Sequence, residues 1–107
     1  MNDAAQTTIQ VGELSVDPGN RAVTVSGNSV YLTTAEFELL HFLAQHPGEV
    51  ISRDLLYQNI RGIEYNGSDR SLDLRVSQLR KKLSDDAKKP CRIITIRGVG
   101  YLLANHQ

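Results

Sequence analysis

The sequence predicts an α+β domain with an N-terminal antiparallel sheet, a core of three helices and a C-terminal β-hairpin. Three observations support this prediction. Hydrophobic residues alternate with polar ones in the first third of the chain, recur at helical spacing through the middle and alternate again near the end. At 107 residues the chain is long enough for one domain with a single core, but not for two.

Short strands are predicted in the first third, where pairs of apolar residues share one face of the chain. The pairs are Leu14 with Val16, Val23 with Val25, and Val30 with Leu32. Proline and glycine in the segments 17–20 and 26–29 supply the backbone angles that tight turns need. The pattern predicts an antiparallel meander, to which Ile9 and Val11 can add a fourth strand.

The period changes to that of a helix at Thr33. Thr33 followed by Glu36 fits a capping box, in which each side chain accepts a hydrogen bond from the other residue's backbone N–H. The residues predicted to form the buried face of this first helix are Phe37, Leu40, Leu43 and Ala44. Pro47 and Gly48 are expected to end it.

A second helix is predicted from Ser52, which is a suitable N-cap, through Ile60. Its residues Leu55, Leu56 and Ile60 are expected to face inward. Val50 and Ile51 before it form a short extended link. After it, residues 62–68 are polar and include two glycines, which predicts a loop between two helices.

A third helix is predicted within residues 69–83. At steps of about 100° per residue, one narrow stripe forms the core face and contains Leu72, Val76, Leu79 and Leu83. The opposite side contains Arg70, Leu74, Ser77, Gln78 and Lys81. Leu74 therefore lies in the middle of a polar, basic face. An exposed leucine needs no functional reason, but contact with thymine methyl groups is the functional interpretation.

Charge is unevenly distributed along a chain whose formal net charge is zero. Residues 1–69 contain three basic and nine acidic side chains, whereas residues 70–107 contain nine basic and three acidic ones. Such asymmetry indicates a polyanionic partner for the second half. A charged helix that is merely solvated is the alternative interpretation.

The period returns to two after Pro90. Residues 92–96 form a predicted strand, Gly98 and Gly100 bracket a turn, and residues 101–103 form the returning strand. A basic helix followed by a hairpin matches the two grooves of duplex DNA. Arg97 at the turn is the predicted minor-groove residue, because narrow minor grooves attract arginine by their negative potential. An ordinary exposed arginine is the alternative.

The third helix is predicted to divide its residues between reading bases and holding phosphates. Gln78 can pair with an adenine edge, and Asp73 can accept a hydrogen bond from cytosine N4. The residues expected to hold phosphates are Arg70, Arg75, Arg80 and Lys81.

Several other classes of function are disfavoured. The chain has no run of about 18 apolar residues that could cross a bilayer, and no secretory leader is seen. One cysteine, Cys91, leaves no pair for a disulfide or a zinc site, so a reducing cytoplasm is expected. His41, His46 and His106 have no nucleophile or carboxylate partner at a meaningful spacing, and no glycine pattern matches a nucleotide-binding loop. No catalytic activity, cofactor or metal site is predicted.

Four segments together resemble one known family. They are Leu-Thr-Thr-Ala-Glu-Phe-Glu-Leu-Leu at 32–40, Ser-Arg-Asp-Leu-Leu at 52–56, the basic segment at 69–83 and Ile-Arg-Gly-Val-Gly-Tyr at 96–101. Over roughly residues 11–103 the chain resembles the effector domain of OmpR/PhoB-type response regulators, and residues 61–71 look most like the RstA branch. The resemblance implies a winged helix-turn-helix that binds tandem DNA half-sites head to tail. It also implies a receiver domain before Met1, as in a two-component regulator.

The resemblance implies roles for individual residues as well. Asp73, Leu74 and Gln78 are implied to contact bases. In such a domain the C-terminal hairpin is called the wing, and Arg97 at its turn is implied to contact the minor groove. Phosphate contacts fall to Arg61, Arg70, Ser71, Arg75 and Arg80. Some relatives have arginine in place of Gln78 and a small or β-branched residue in place of Leu74, which leaves the DNA sequence open. In the family, the loop that here contains Gly62, Ile63, Glu64, Tyr65 and Asn66 can face RNA polymerase, or it is a plain connector.

The domain is expected to span residues 9–104, with residues 1–8 as a linker or cloning remnant and residues 105–107 as a tail. Two other functions stay open. In one, a winged helix docks an acidic protein on its basic face. In the other, the same fold binds double-stranded RNA, which is disfavoured because the deep, narrow RNA major groove excludes a helix. Dependence on salt and on nucleic-acid sequence separates these alternatives.

Overall fold

The computed structural model describes residues 7–60, 70–83 and 92–105. Its elements are β1 (Ile9–Val11), β2 (Leu14–Asp17), β3 (Ala22–Val25), β4 (Asn28–Val30), α1 (Thr34–Ala44), β5 (Ile51–Ser52), α2 (Arg53–Asn59), α3 (Arg70–Lys82), β6 (Ile93–Ile96) and β7 (Gly100–Leu103). The α+β class, the N-terminal sheet, the three helices and the C-terminal hairpin are confirmed.

The N-terminal sheet is an antiparallel meander in the order β1-β2-β3-β4. Val16 pairs with Val23 and with Ile9 on its two sides, so the predicted fourth strand is confirmed. Because side chains alternate across a strand, Leu14 and Val16 both point into the core and are fully buried. The sheet thus contributes one side of the hydrophobic core. β4 ends at Val30, and Leu32 beyond it packs against the core.

Helix α1 begins with the predicted capping box. The backbone N–H of Glu36 donates to Thr33 Oγ1 at 3.3 Å, and the backbone N–H of Thr33 donates to Glu36 Oε1 at 2.9 Å. The residues predicted to be buried, Phe37, Leu40, Leu43 and Ala44, are all buried. The helix ends at Ala44 before Pro47, as the sequence predicts.

Helix α2 is capped by Ser52, whose Oγ accepts from the backbone N–H of Leu55 at 3.2 Å. The prediction that Leu55 faces inward is wrong, because this side chain is 44% exposed. Leu56 and Ile60, four residues apart on one face, are buried instead. Leu55 is rotated by about 100° from Leu56, and a seven-residue helix turns only a narrow face towards the core.

The predicted extended link is confirmed at Ile51, which together with Ser52 forms β5, a third strand beside the hairpin. The second sheet has the order β5-β7-β6, with Ile51 paired to Tyr101 and Ser52 paired to Gly100. A Cβ on Gly100 would collide with the backbone of β5, since it would meet the carbonyl oxygen of Ile51. Only glycine permits this approach, which joins the hairpin directly to the start of α2.

Helix α3 buries the predicted stripe. Its members Leu72, Val76, Leu79 and Leu83 are each at most 1% exposed. They belong to one hydrophobic cluster with residues from both sheets and from the other two helices. The longest helix of the described ranges has 13 residues, and none is long and apolar enough to cross a bilayer.

Candidate nucleic-acid interface

The side of α3 that points away from the core carries Leu74, Ser77 and Lys81, which we call the outward face. At about 100° per residue, these side chains lie roughly opposite Leu72 on the helix. All three are exposed, and Leu74 is 55% exposed. The prediction of an exposed leucine within a polar, basic face is confirmed. A helix face that presents an apolar side chain, a hydroxyl and a cation can contact base edges and phosphates together.

One flank of α3 is fastened to the hairpin through Asp73. Its Oδ1 accepts hydrogen bonds from Arg53 Nη2 at 2.8 Å and from the Tyr101 hydroxyl at 2.5 Å. The Arg53 guanidinium carbon also lies 5.8 Å from the centre of the Tyr101 ring, within cation–π range. This cluster joins the starts of α2 and α3 to strand β7.

The same cluster sets the charge state of Asp73. Burial raises the pKa of this carboxyl, but the hydrogen bonds from Tyr101 and Arg53 and the charge of Arg53 outweigh burial and hold the pKa below its ordinary value. Burial and the hydrogen bond to Asp73 raise the pKa of Tyr101. Asp73 is therefore an anion held between α2 and the hairpin, and its predicted contact with cytosine stays a prediction.

Arg80 lies on the same flank as Asp73, about two helical turns further along α3, and is also bound to the hairpin. Its Nε and Nη2 donate to the carbonyl oxygen of Ile93 at 3.0 and 2.7 Å, and Nη2 donates to Thr95 Oγ1 at 2.8 Å. The sequence predicts that Arg80 holds a phosphate. In the structure its half-buried guanidinium is used to hold strand β6, so the phosphate contact stays a prediction.

The other flank of α3 faces α1. Here Arg75 Nη1 donates to Gln78 Oε1 at 3.0 Å, and Lys82 Nζ donates to Glu36 Oε1 at 2.6 Å. A groove of about 370 Å³ lies between the two helices. It is lined by Thr33, Glu36, Arg75, Gln78, Lys81 and Lys82. Two predicted phosphate residues, Arg75 and Lys81, thus border the same groove as the predicted base reader Gln78.

Among the residues that the structure describes, Glu36 is the one charged residue that is buried, with 1% of its surface exposed. Burial raises its pKa, but the hydrogen bonds from Lys82 and from the Thr33 backbone and the charge of Lys82 outweigh burial. The pKa of Glu36 is therefore lowered overall. Glu36, in the first turn of α1, thereby binds Lys82 in the last turn of α3 and sets the position of α3 against α1.

Tyr57 connects α2 to the beginning of α3. Its hydroxyl accepts from the backbone N–H of Leu72 at 3.2 Å and lies 3.4 Å from Ser71 Oγ. The first N–H groups of a helix have no partner within the helix, so this hydroxyl acts as a side-chain cap supplied from a distance. Ser71, a predicted phosphate residue, is half-buried beside it.

The hairpin turn presents Arg97 to solvent, as the sequence predicts. The backbone N–H of Val99 donates to the carbonyl oxygen of Ile96 at 3.0 Å, which closes the turn. Gly98 has a φ of 76°, a conformation that other residues adopt only with strain. The contact of Arg97 with a minor groove stays a prediction.

Some predicted residues lie outside the described residues. They are Arg61, the loop residues Gly62, Ile63, Glu64, Tyr65 and Asn66, and the side chain of Arg70. Conversely, the sequence reasoning missed Arg53, Tyr57, Lys82 and Tyr101 as residues that hold the site together. Their contacts to α3 or α1 span 14 to 46 positions along the chain, so no local spacing signals them.

Two histidines considered for catalysis pack against aromatic rings on α1. The rings of His41 and Phe37 lie 5.7 Å apart, and those of His46 and Phe42 lie 5.4 Å apart. Burial lowers the pKa of His41. His106 lies outside the described residues. Within residues 7–60, 70–83 and 92–105, no group of three or more His, Cys, Asp or Glu side chains is placed to hold a metal ion.

Comparison with known sequences points to one group of proteins. Residues 27–103 match the family model described as "Transcriptional regulatory protein, C terminal". The chain is 50% identical over 98 residues to the transcriptional regulatory protein RstA of Escherichia coli strain K12. The match covers 92% of this chain and 41% of RstA, so the chain spans less than half the length of that relative.

Solved structures similar to this chain belong to the same group of proteins. The Klebsiella pneumoniae RstA DNA-binding domain, in a crystal structure of its complex with the RstA box, is 50% identical with a TM-score of 0.86. That match covers 94% of this chain and 99% of the other. The response regulator DrrB, a Thermotoga maritima OmpR/PhoB homologue, is 33% identical with a TM-score of 0.80, over 91% of this chain and 44% of the other.

Proposed function

The chain belongs to the family of transcriptional regulatory protein C-terminal domains, of the OmpR/PhoB type, and on this premise we propose that it binds double-stranded DNA in a sequence-dependent manner. The predicted similarity to the RstA branch is confirmed by the 50% identity to RstA. The observation that carries the proposal is the outward face of α3, on which Leu74, 55% exposed, shares one side of the helix with the exposed Lys81. This face takes no part in the core and is open to a partner.

The geometry supports a contact in two grooves. An α-helix fits the major groove of B-DNA, where Leu74 can meet thymine methyl groups. Arg80 and Tyr101 tie this helix to the hairpin, so Arg97 at the hairpin tip is carried at a fixed distance from the helix. We propose that Arg97 enters the neighbouring minor groove.

Individual roles follow from this placement. We propose that Asp73, Leu74 and Gln78 contact bases. The residues proposed to contact phosphates are Arg61, Arg70, Ser71, Arg75, Arg80 and Lys81. Asp73 Oδ1 already accepts from Arg53 and Tyr101, so a cytosine amino group would approach the other carboxylate oxygen.

The complete protein is proposed to be a two-component response regulator that controls transcription from the cytoplasm. Relatives more than twice as long as the matched region support a receiver domain in addition to this one. We propose tandem direct-repeat half-sites as its DNA target, in keeping with the family, and contact of residues 62–66 with RNA polymerase. The single cysteine suits a reducing compartment.

Selection from a random duplex pool, followed by affinity measurements at several salt concentrations, tests the proposal. We expect one enriched motif bound at least about a thousandfold more tightly than unrelated duplex. The logarithm of affinity should fall with the logarithm of salt concentration by about 0.9 per phosphate neutralised. Equal binding to all duplexes would contradict the proposal, and preference for an acidic protein would favour the docking alternative. The same sequence as RNA duplex serves as the control.

A further inference from the structure

Arg75 and Gln78 are neighbours on α3, three residues apart, and a hydrogen bond joins their side chains. Arg75 Nη1 lies 3.0 Å from Gln78 Oε1. A guanidinium has only N–H donors, so the amide atom that faces it must be the carbonyl oxygen. The orientation of the Gln78 amide is therefore determined by chemistry, although oxygen and nitrogen have nearly the same shape.

This orientation decides which end of the amide points towards a base. A glutamine amide carries an acceptor oxygen and a donor NH2 group, and half a turn of the last torsion exchanges them. Around the helix axis, Gln78 lies about 60° farther from the core stripe than Arg75. With its oxygen bonded to Arg75, Gln78 has its NH2 group turned away from Arg75 and available to a base.

Arg75 has a reason to keep this bond. The residue is half-buried, and its Nε is buried without a hydrogen-bond partner among the residues that the structure describes. The hydrogen bond from Nη1 to Gln78 Oε1 is the side-chain contact that this guanidinium makes within α3. Reversing the amide would place two donors against each other. The pair therefore favours one orientation.

We propose that Arg75 determines specificity through Gln78, as a positioning residue that makes Gln78 a hydrogen-bond donor to the base it meets. In the major groove, guanine, adenine and thymine each offer an acceptor, whereas cytosine offers only its N4 donor. Cytosine is consequently rejected at the base position that Gln78 contacts. This inference rests on the proposed DNA binding, and it refines the adenine contact predicted from the sequence.

Selection from a random duplex pool with a set of variants tests the inference. Gln78→Ala identifies the base position that depends on Gln78. Arg75→Met keeps the length and packing of the side-chain stem but removes its donors, so the amide can reverse. We expect the parent to be depleted of cytosine at that position. With Arg75→Met, the affinity for the cytosine-containing site relative to the parent's preferred site should rise on the order of tenfold.

Two further variants separate positioning from charge. Arg75→Lys restores a donor-only group and should restore the depletion of cytosine at least in part. Lys81→Ala removes one positive charge from the outward face, and it should lower affinity on all sequences alike without changing the motif. In the free protein, the side-chain amide NMR signals of Gln78 should shift in Arg75→Met, which reports the lost hydrogen bond independently of DNA.

The outcomes are distinguishable. A parent that selects cytosine at the Gln78 position, or an Arg75→Met variant that selects the same bases as the parent, overturns the inference while DNA binding stands. An unchanged Gln78 amide signal in Arg75→Met likewise overturns it. A parent that selects no sequence at all contradicts the proposed function, and the inference falls with it.

Discussion

Arg80 of α3 donates two hydrogen bonds to the backbone carbonyl oxygen of Ile93 in β6, at 3.0 Å from Nε and 2.7 Å from Nη2. On the same flank of α3, the hydroxyl of Tyr101 in β7 donates a second hydrogen bond between the hairpin and the helix, to Asp73. The helix that carries Leu74 and the turn that carries Arg97 are therefore parts of one unit. The protein itself sets the distance between its two proposed DNA contacts.

Arg80→Ala is expected to lower the free energy of unfolding by about 2 kcal/mol, because it removes charged hydrogen bonds and leaves the Ile93 carbonyl without these donors. Urea unfolding measures this. Lys81→Ala is the matched control, since it removes an exposed charge next to Arg80 and should change stability by no more than about 0.5 kcal/mol. The sequence alone predicts that Arg80→Ala also lowers DNA affinity on all sites and flattens the salt slope. Unchanged stability would refute the tie to the hairpin.

Glu36→Gln is expected to reduce the stability of the protein at neutral pH. The variant should also lose less stability than the parent as the pH falls. The pKa of Glu36 is lower in the folded protein than its ordinary value of 4.5, so the ionised group stabilises the fold above that value. This stability is lost as the pH falls through the folded-state pKa. Thermal unfolding from about pH 7 to about pH 3 should show parent and variant converging. A constant difference across that range would argue against an ionised, buried Glu36. The pKa of Asp73 is also lowered in the folded protein, so Asp73 adds a loss of stability in acid that is the same in parent and variant.

Gly100→Ala is expected to destabilise the protein by about 3 kcal/mol or to prevent folding, because the added carbon overlaps backbone atoms. That carbon would meet the Ile51 carbonyl oxygen and lie 2.8 Å from Ile51 C and 2.9 Å from Ser52 Cα. Gly98→Ala is the comparison, with open space around the added carbon and a φ of 76°. Gly98→Ala should lower the free energy of unfolding by only about 1 kcal/mol, through backbone strain. Equal losses in denaturant unfolding would contradict the pairing of β5 with β7.

Leu74→Ala is expected to leave stability nearly unchanged, within about 0.5 kcal/mol, because the side chain is 55% exposed. On DNA it should weaken binding by about 1 kcal/mol and relax the preference for thymine at one position. Denaturant unfolding and binding-site selection measure the two effects. A selected motif identical to that of the parent would remove Leu74 from the proposed reading residues.

Arg97→Ala is expected to weaken DNA binding most on sites with an A·T-rich flank, where the minor groove is narrow and its potential most negative. Affinities on matched duplexes with A·T-rich and G·C-rich flanks measure the difference. Stability should hardly change, since Arg97 is exposed in a turn. If the mutant and the parent bind all these duplexes equally well, the wing contact is refuted.

Features that depend on neighbours in the chain were predictable from the sequence. The capping box joins Thr33 to Glu36 across three positions, and the buried stripe of α3 follows from the 3.6-residue period. The positive φ of the turn residue Gly98 is predictable because glycine adopts this conformation readily. The exposed Leu74 is predictable in the same way, as the side opposite the stripe.

Other features were decided by how the elements pack. The sequence predicts that Leu55 faces inward, yet Leu56 and Ile60 are the residues that the short α2 turns to the core. The partners of Asp73 and Arg80 lie on β7 and β6, and the bond from Lys82 to Glu36 joins residues 46 positions apart. Periodicity specifies which side of an element meets the core, because it repeats within one or two turns. It does not specify which other element lies at each flank, since that depends on the three-dimensional arrangement of all of them.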